Sequence, residues 1–445
     1  MKQFIHARKI LTGNISGSIL TDHVVEIDGS RIVAIVPFDE RIRNEGECVD
    51  AASMVLIPGF VQTHIHLCQT LFRGLADDLE LLDWLQKKIF PFEAAHDEHS
   101  IYSSTMVGIA ELLRSGTTTI LDMGSIHHEE QIIRAIGETG LRAHVGKAMM
   151  DMNDAFPRLK ESTHDAITST RTLAERWHNS YEGRVKYAAA PRFVLSCSET
   201  LLRDTAEMMR SFDGMLYHTH ASENKGEVEA VRSRCGMENI EYLNHLNILS
   251  EKTCLAHCIH LNDHELKLLQ STRTSVAHCP SSNLKLGSGI ANIPSMMARG
   301  INVSLGADGA PCNNSLDMFR EMRLASLIQK PFHGPTSMNA RDVFTMATMG
   351  GAKALGLEHE IGSIEVGKKA DLVLLDLGDV WNPSGDEHDL YSSIVHSASP
   401  ENVDSVMIDG RWVYRKKEFT TLHREEILSG AKRELKQLLD RTEYS

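Results

Sequence analysis

No stretch of this 445-residue chain stays apolar for the roughly 18–20 residues that a membrane helix needs, which excludes a helical membrane protein. The opening residues MKQFIHARKIL lead into no long apolar segment, so a cleaved secretory leader is not expected. The eight cysteines contain no C-x-x-C pair; so sparse a set makes no disulfide framework and points to a reducing, cytoplasmic compartment. Basic excess is missing too: 46 Lys+Arg face 60 Asp+Glu, and a net charge of −14 argues against a nucleic-acid partner. Neither H-E-x-x-H nor H-x-E…P-C-x-x-C occurs, which removes two common zinc-hydrolase classes. There is no tandem repeat, long charge run or low-complexity tract.

What remains is an ordinary globular composition, 42% hydrophobic and 24% charged, able to bury a large core. At about 150 residues per domain the length suggests about three domains, a rule that α/β barrels break. Residues 24–36 place two apolar runs around Asp28-Gly29, a hairpin signal, and 54–60 carry the chain onward. The same texture returns at 368–378 and 403–419, again with an Asp-Gly turn. Residues 1–58 and 366–420 therefore read as one small β domain built from both termini, and 421–445 as a C-terminal helix. Between them, eight β-rich runs (61–66, 117–123, 142–149, 185–191, 215–220, 253–257, 274–278 and 302–308) alternate with helical segments such as 103–115, 130–139, 198–212 and 227–235. That alternation over 59–365 implies parallel strands and an α/β fold of the (β/α)₈ TIM-barrel type.

Barrel active sites sit at the C-terminal strand ends. Here those ends carry His64 and His66, then His218 and His220 followed by Glu223, then His257, His278 and Asp308. Period-2 alternation points the two imidazoles of each His-x-His pair to one face. Alone, a His-x-His is more often a strand with two satisfied histidines, and the 19 methionines and the cysteines read as core filling. Candidates at successive strand ends are what unrelated core histidines have no reason to produce. Such a set suits a borderline divalent ion, zinc first, which brings the pKa of water from about 15.7 to about 7. Two lookalikes fail. Gly362–Lys368 imitates a phosphate loop but continues with Lys369 rather than Ser or Thr, and the sequon Asn14-Ile15-Ser16 has no meaning in a cytoplasmic protein.

The segments PGFVQTHIHLCQTLFRGLADDLELLDWL, HTHASENKGEVEAV, LAHCIHL, SVAHCPSSNLKLGSGIANI and LGADGAPCNNSLDMFREMRLASLIQK resemble the amidohydrolase superfamily over nearly the whole chain. Within it the resemblance is to methylthioadenosine/S-adenosylhomocysteine and 5′-deoxyadenosine deaminases, with guanine deaminases and s-triazine hydrolases as neighbours. It implies one metal, Zn²⁺ with Fe²⁺ or another divalent ion as alternatives, on His64, His66, His220 and Asp308. The fourth strand ends in YAAAPRF, without the lysine that two-metal members carboxylate. Glu223 matches the family's proton shuttle and His257 the residue that bonds the attacking water, with Asp308 as the third catalytic group.

For the substrate, the resemblance places Glu93 on ribose hydroxyls and Trp84 in the same pocket segment. Lys147 and Arg158 stand where an amino-acid carboxylate would be met. Gln69, Arg192 and Phe193 instead match a guanine-type pocket, able to read a purine carbonyl and stack on the base. The expected reaction is deamination of a 5′-modified adenosine. Guanine or a related oxo-purine or pterin is the second reading, and s-triazine amino- or chlorohydrolysis the third. A non-catalytic metal-binding homologue is a further alternative. The expected partners are a small-molecule substrate and further copies of the chain, as a dimer or tetramer.

Overall fold

The computed structural model describes residues 2–44, 46–378 and 389–442. The first four strands are β1 (Lys2–Leu11), β2 (Ile19–Asp28), β3 (Arg31–Pro37) and β4 (Glu47–Pro58). The hairpin expected at Asp28-Gly29 joins β2 to β3, with Gly29 at φ 58. Then come β5 (Phe60–His66), β6 (Thr117–Met123), β7 (Arg142–Gly146), β8 (Ala148–Met149), β9 (Val185–Pro191), β10 (Leu216–Ala221), β11 (Thr253–His257), β12 (Ser275–His278), β13 (Val303–Leu305) and β14 (Asp308–Gly309). The chain returns with β15 (Leu372–Leu375), β16 (Val403–Ile408), β17 (Arg411–Arg415) and β18 (Glu418–Phe419). Asp409 and Gly410, at φ 54 and 75, form the two-residue turn between β16 and β17, the positive-φ pair a tight hairpin demands.

One sheet has the order β18-β17-β16-β15-β4-β1-β2-β3, so strands from both ends of the chain share it. The other runs β13-β12-β11-β10-β9-β7-β6-β5-β14, with parallel pairing throughout. Because β14 follows β13 in the chain and pairs with β5, the parallel sheet curls back on itself as a barrel. The transition between the two sheets is tight: a Cβ at Gly59 would lie 2.2 Å from Thr118, so only glycine fits between β4 and β5.

Departures from the expected elements have local causes. The helix expected from 103 begins at Glu98, because Asp97 and Ser100 form a reciprocal capping box. The run 302–308 breaks into β13 and β14 around Gly306, where a Cβ would come within 2.6 Å of the His64 carbonyl oxygen. The C-terminal helix spans Arg424–Thr442, and its expected extension over 443–445 lies outside the described residues. Among the described residues no helix is long and apolar enough to cross a membrane.

Barrel and flanking sheet are joined by a buried ionic network. Arg142 Nε lies 2.7 Å from Asp371, its Nη2 lies 3.3 Å from Asp409, and Lys369 lies 2.9 Å from Asp409. The phosphate-loop lookalike is a structural turn. Lys368 Nζ donates to the Glu358 carbonyl at 2.5 Å and to Ser363 Oγ at 2.6 Å, which leaves it no role toward a phosphate.

Candidate metal centre and pocket

The parallel strands deliver the polar groups to one end of the barrel. His64 and His66 come from β5, His220 from β10 and Asp308 from β14, and their ligand atoms all lie within 4.8 Å of one another. All four side chains are buried or nearly so. Hydrogen bonds away from the centre fix the protons. His66 Nδ1 donates to the Met123 carbonyl at 2.9 Å and His220 Nδ1 to the Arg192 carbonyl at 2.7 Å. Each ring therefore turns a bare Nε2 inward, and these two atoms face each other at 3.3 Å with no proton to share. His64 Nε2 has no hydrogen-bond partner and lies 3.3 Å from Asp308 Oδ1, while His66 Nε2 lies 3.4 Å from it. Burial pushes His66 down to about 3 and lowers His64 and His220 as well, so protonation does not relieve the crowding. Three imidazole lone pairs and a carboxylate converging on one point fit a divalent cation of borderline softness.

Two further titratable groups border this cluster. His257 Nε2 lies 3.5 Å from Glu223 Oε2 and 3.9 Å from Asp308 Oδ2. Burial raises the Glu223 carboxyl to about 7, the range a proton donor needs near neutrality. Burial would lower His257, but the Glu223 and Asp308 charges outweigh it and raise its pKa. The backbone here is strained: Ser222, His257, Cys258 and Asp308 all have positive φ, between 49° and 73°. Non-glycine residues in that region cluster where surrounding structure holds them for function.

A narrow cavity of about 30 Å³ opens beside the cluster. Gln69, Trp84, Arg192, Phe193, Glu223 and His257 are in its wall, as are His66, His220 and Asp308. The catalytic and metal candidates of the sequence reading are thus brought together. The substrate candidates divide. Glu93 lies outside the wall: its carboxylate takes Arg192 Nη1 at 2.7 Å, Arg192 Nη2 at 3.2 Å and Gln69 Nε2 at 2.8 Å. Lys147 is also outside, because a buried ammonium must be paired and Glu161 holds it. Arg158 is absent from the wall too, and its carbonyl accepts from His127. His278 is buried with neither ring nitrogen hydrogen-bonded, apart from the four-residue cluster.

Several contributors were not visible in the sequence. Ser282 Oγ donates to Asp308 Oδ2 at 2.6 Å, and Asn283 Oδ1 accepts from His257 Nδ1 at 2.8 Å. Both sit on the short helix Pro280–Lys285 that turns back after β12; their only sequence signal is closeness to a strand end. Glu227 accepts the Glu223 backbone N–H at 2.8 Å and reaches the cavity wall. A wider groove between the helices Glu98–Arg114 and Arg424–Thr442 gathers no comparable cluster; its acids pair with arginines, as in Arg73–Glu111 and Arg114–Glu401.

The barrel, the flanking sheet from both termini and the His₃Asp cluster define a metal-dependent hydrolase of the barrel type. The amidohydrolase family profile matches residues 55–413, and the chain belongs to that family. A 5′-deoxyadenosine deaminase of Methanothermobacter thermautotrophicus is 40% identical over 386 residues, 85% of this chain and 86% of that relative. A 5-methylthioadenosine/S-adenosylhomocysteine deaminase of Moorella thermoacetica is 36% identical over 418 residues, 93% of this chain and 94% of that relative. Among solved structures, a zinc-bound adenosine deaminase from Xanthomonas campestris superposes with a TM-score of 0.91 at 29% identity, covering 98% of both chains.

Proposed function

We propose that this chain hydrolyses the exocyclic amine of an aminopurine, a 5′-modified adenosine such as 5′-deoxyadenosine, methylthioadenosine or S-adenosylhomocysteine, to the inosine analogue and ammonia. The observation that carries the reading is the convergence of unprotonated imidazoles and Asp308 beside a carboxyl poised near neutrality. His64, His66, His220 and Asp308 would hold one divalent ion, Zn²⁺ foremost and Fe²⁺ a possible substitute. The ion's contribution is Lewis acidity, which makes water a nucleophile near neutral pH.

The chain's own groups supply the proton traffic. Glu223, in its acid form, donates to the ring nitrogen beside the amine-bearing carbon, which makes that carbon electrophilic. His257 and Asp308 orient the attacking water and accept its proton. Asp308 then passes that proton to the amine, which leaves as ammonia, while the new hydroxyl returns its proton to Glu223 and becomes the product carbonyl. Ser282 and Asn283 keep Asp308 and His257 in register for these transfers. Trp84 and Phe193 form the apolar wall against which a purine would lie. Residues 59–365 carry the chemistry in this reading, and 1–58 with 366–420 form the supporting β domain. The enzyme works in the cytoplasm as a dimer or tetramer; its eight cysteines form no disulfide.

One observation favours a second reading. Both Glu93 oxygens are occupied by Arg192 and Gln69, whereas Arg192, Gln69 and Phe193 border the cavity, an arrangement that suits an oxo-purine or pterin better than a sugar diol. The metal-loaded protein is to be incubated with 5′-deoxyadenosine, methylthioadenosine, S-adenosylhomocysteine, adenosine, guanine and pterins, following ultraviolet absorbance and ammonia. Preferred turnover of 5′-modified adenosines supports the first reading, and turnover confined to oxo-purines or pterins replaces it with the second. Arg192→Ala checks the choice, since loss selective for oxo-purines belongs to the second. Chloride release from a chlorotriazine without aminopurine turnover would overturn both.

A further inference from the structure

Two of the three inward-facing histidines anchor their outer nitrogen on a backbone carbonyl, but His64 does not. Its Nδ1 lies 2.8 Å from Nε2 of His218, a second imidazole with no exposed surface that reaches it from β10, remote from β5 in strand order. His218 Nδ1 in turn lies 2.9 Å from the Cys254 carbonyl on β11. A carbonyl oxygen can only accept, so His218 carries its proton on Nδ1 and has a lone pair on Nε2. His64 must then donate from Nδ1, and its bare Nε2, which has no partner of its own, is delivered to the cluster. The direction of the whole chain is set by one terminal carbonyl.

We propose that His218 is a positioning residue that selects the tautomer and ring orientation of His64 through this imidazole relay and so sets the affinity of the site for its divalent ion. The inference rests on the reading of His64, His66, His220 and Asp308 as the metal site. Without the acceptor at His218, the His64 proton gains nothing by staying on Nδ1. On Nε2 it would face Asp308 Oδ1 at 3.3 Å and close the coordination position. Outer partners of metal-bound histidines are typically worth about 10–100-fold in metal affinity or activity.

The test compares the parent with His218→Leu and His218→Gln. Zn²⁺ affinity is measured by competition with a chromophoric chelator, the Co²⁺-substituted proteins by visible absorption, and the metal-free proteins by thermal unfolding. The leucine variant removes the acceptor and should bind Zn²⁺ about 10–100-fold more weakly, with an altered Co²⁺ spectrum. The glutamine variant restores an acceptor oxygen near the Nε2 position and should recover most of the affinity and the parental spectrum. A leucine variant with parental affinity and spectrum overturns the proposal. So does a pair of variants that lose affinity only in proportion to lost metal-free stability, which is a merely structural role. Should the leucine variant not fold, the glutamine variant decides: parental affinity supports the relay, and a stably folded variant that does not hold Zn²⁺ overturns it. A parent that binds neither Zn²⁺ nor Co²⁺ would instead refute the metal-site reading beneath it.

Discussion

Replacing Glu223 by glutamine separates two roles of one carboxyl, and both have a magnitude. The side chain keeps its shape but can no longer deliver a proton, so turnover of an aminopurine should fall by about 10²–10⁴-fold while bound metal is unchanged. Stability should move the other way. Burial raises the Glu223 pKa from 4.5 to about 7, so the folded protein binds this proton more tightly than the unfolded chain does. That contribution is fully present below pH 4.5 and is lost as pH rises to about 7. At about 1.36 kcal/mol per pH unit the parent forfeits about 3 kcal/mol over this window. The variant has no such proton to lose. His257 is held up against burial by Glu223 first, so its relaxation in the variant acts in the same direction. Other buried acids, Asp122 and Glu321 among them, are raised to about 7 in both proteins and cancel in the comparison. Urea unfolding of the metal-free proteins at pH 5 and pH 8 measures the difference, and ammonia release by the metal-loaded proteins measures turnover. A variant with parental turnover refutes the proton-donor assignment. Two proteins with the same pH dependence of stability refute the claim that this carboxyl is held protonated by burial.

Three further outcomes follow from the geometry. Arg142→Met leaves Asp371 and Asp409 without their guanidinium in a buried setting and should cost about 3–5 kcal/mol, read by denaturant unfolding, with activity per folded molecule retained. Gly146→Ala should be strongly destabilising, because the new Cβ would lie 1.6 Å from the Ala188 carbonyl oxygen and β7 and β9 would have to part; a thermal midpoint equal to the parent's would contradict the packing. Ser282→Ala removes the 2.6 Å hydrogen bond to Asp308 Oδ2 and should lower kcat more than it raises KM; a pure KM effect would show that Ser282 does not orient the aspartate.

The barrel was legible because its signal is repetition. Short β-rich runs ending in polar residues recur at intervals set by intervening helices, and β6, β9 and β11 match the expected residues at both ends. Where an expected strand was too long, a tertiary event cut it. The run 142–149 breaks at Lys147, whose N–H is taken by the Tyr187 hydroxyl, and the run 302–308 breaks where Gly306 passes the His64 backbone. The polar rim of the barrel was legible for the same reason, since strand ends converge whatever their separation in sequence, whereas the choice of His64, His66, His220 and Asp308 from that rim came from the resemblance to the amidohydrolase superfamily. Partnerships between side chains were not. Glu93 and Arg192 are 99 residues apart, and nothing local says that they neutralise each other. Lys147 stands, by the resemblance, where a substrate carboxylate would be met but is paired with Glu161 in the fold. His218 reads as a twin of His220, yet it turns to the outer nitrogen of His64 and is not among the four cluster residues.

The central claim is that the four side chains His64, His66, His220 and Asp308 hold one catalytic divalent ion. Metal analysis of the purified protein, with ammonia release from 5′-deoxyadenosine followed before chelation, after chelation and after Zn²⁺ is restored, tests it most directly. One equivalent of divalent metal, activity abolished on its removal and recovered on its return, and neither retained in His66→Ala, is the expected result. Undiminished deamination by the metal-free protein would contradict it.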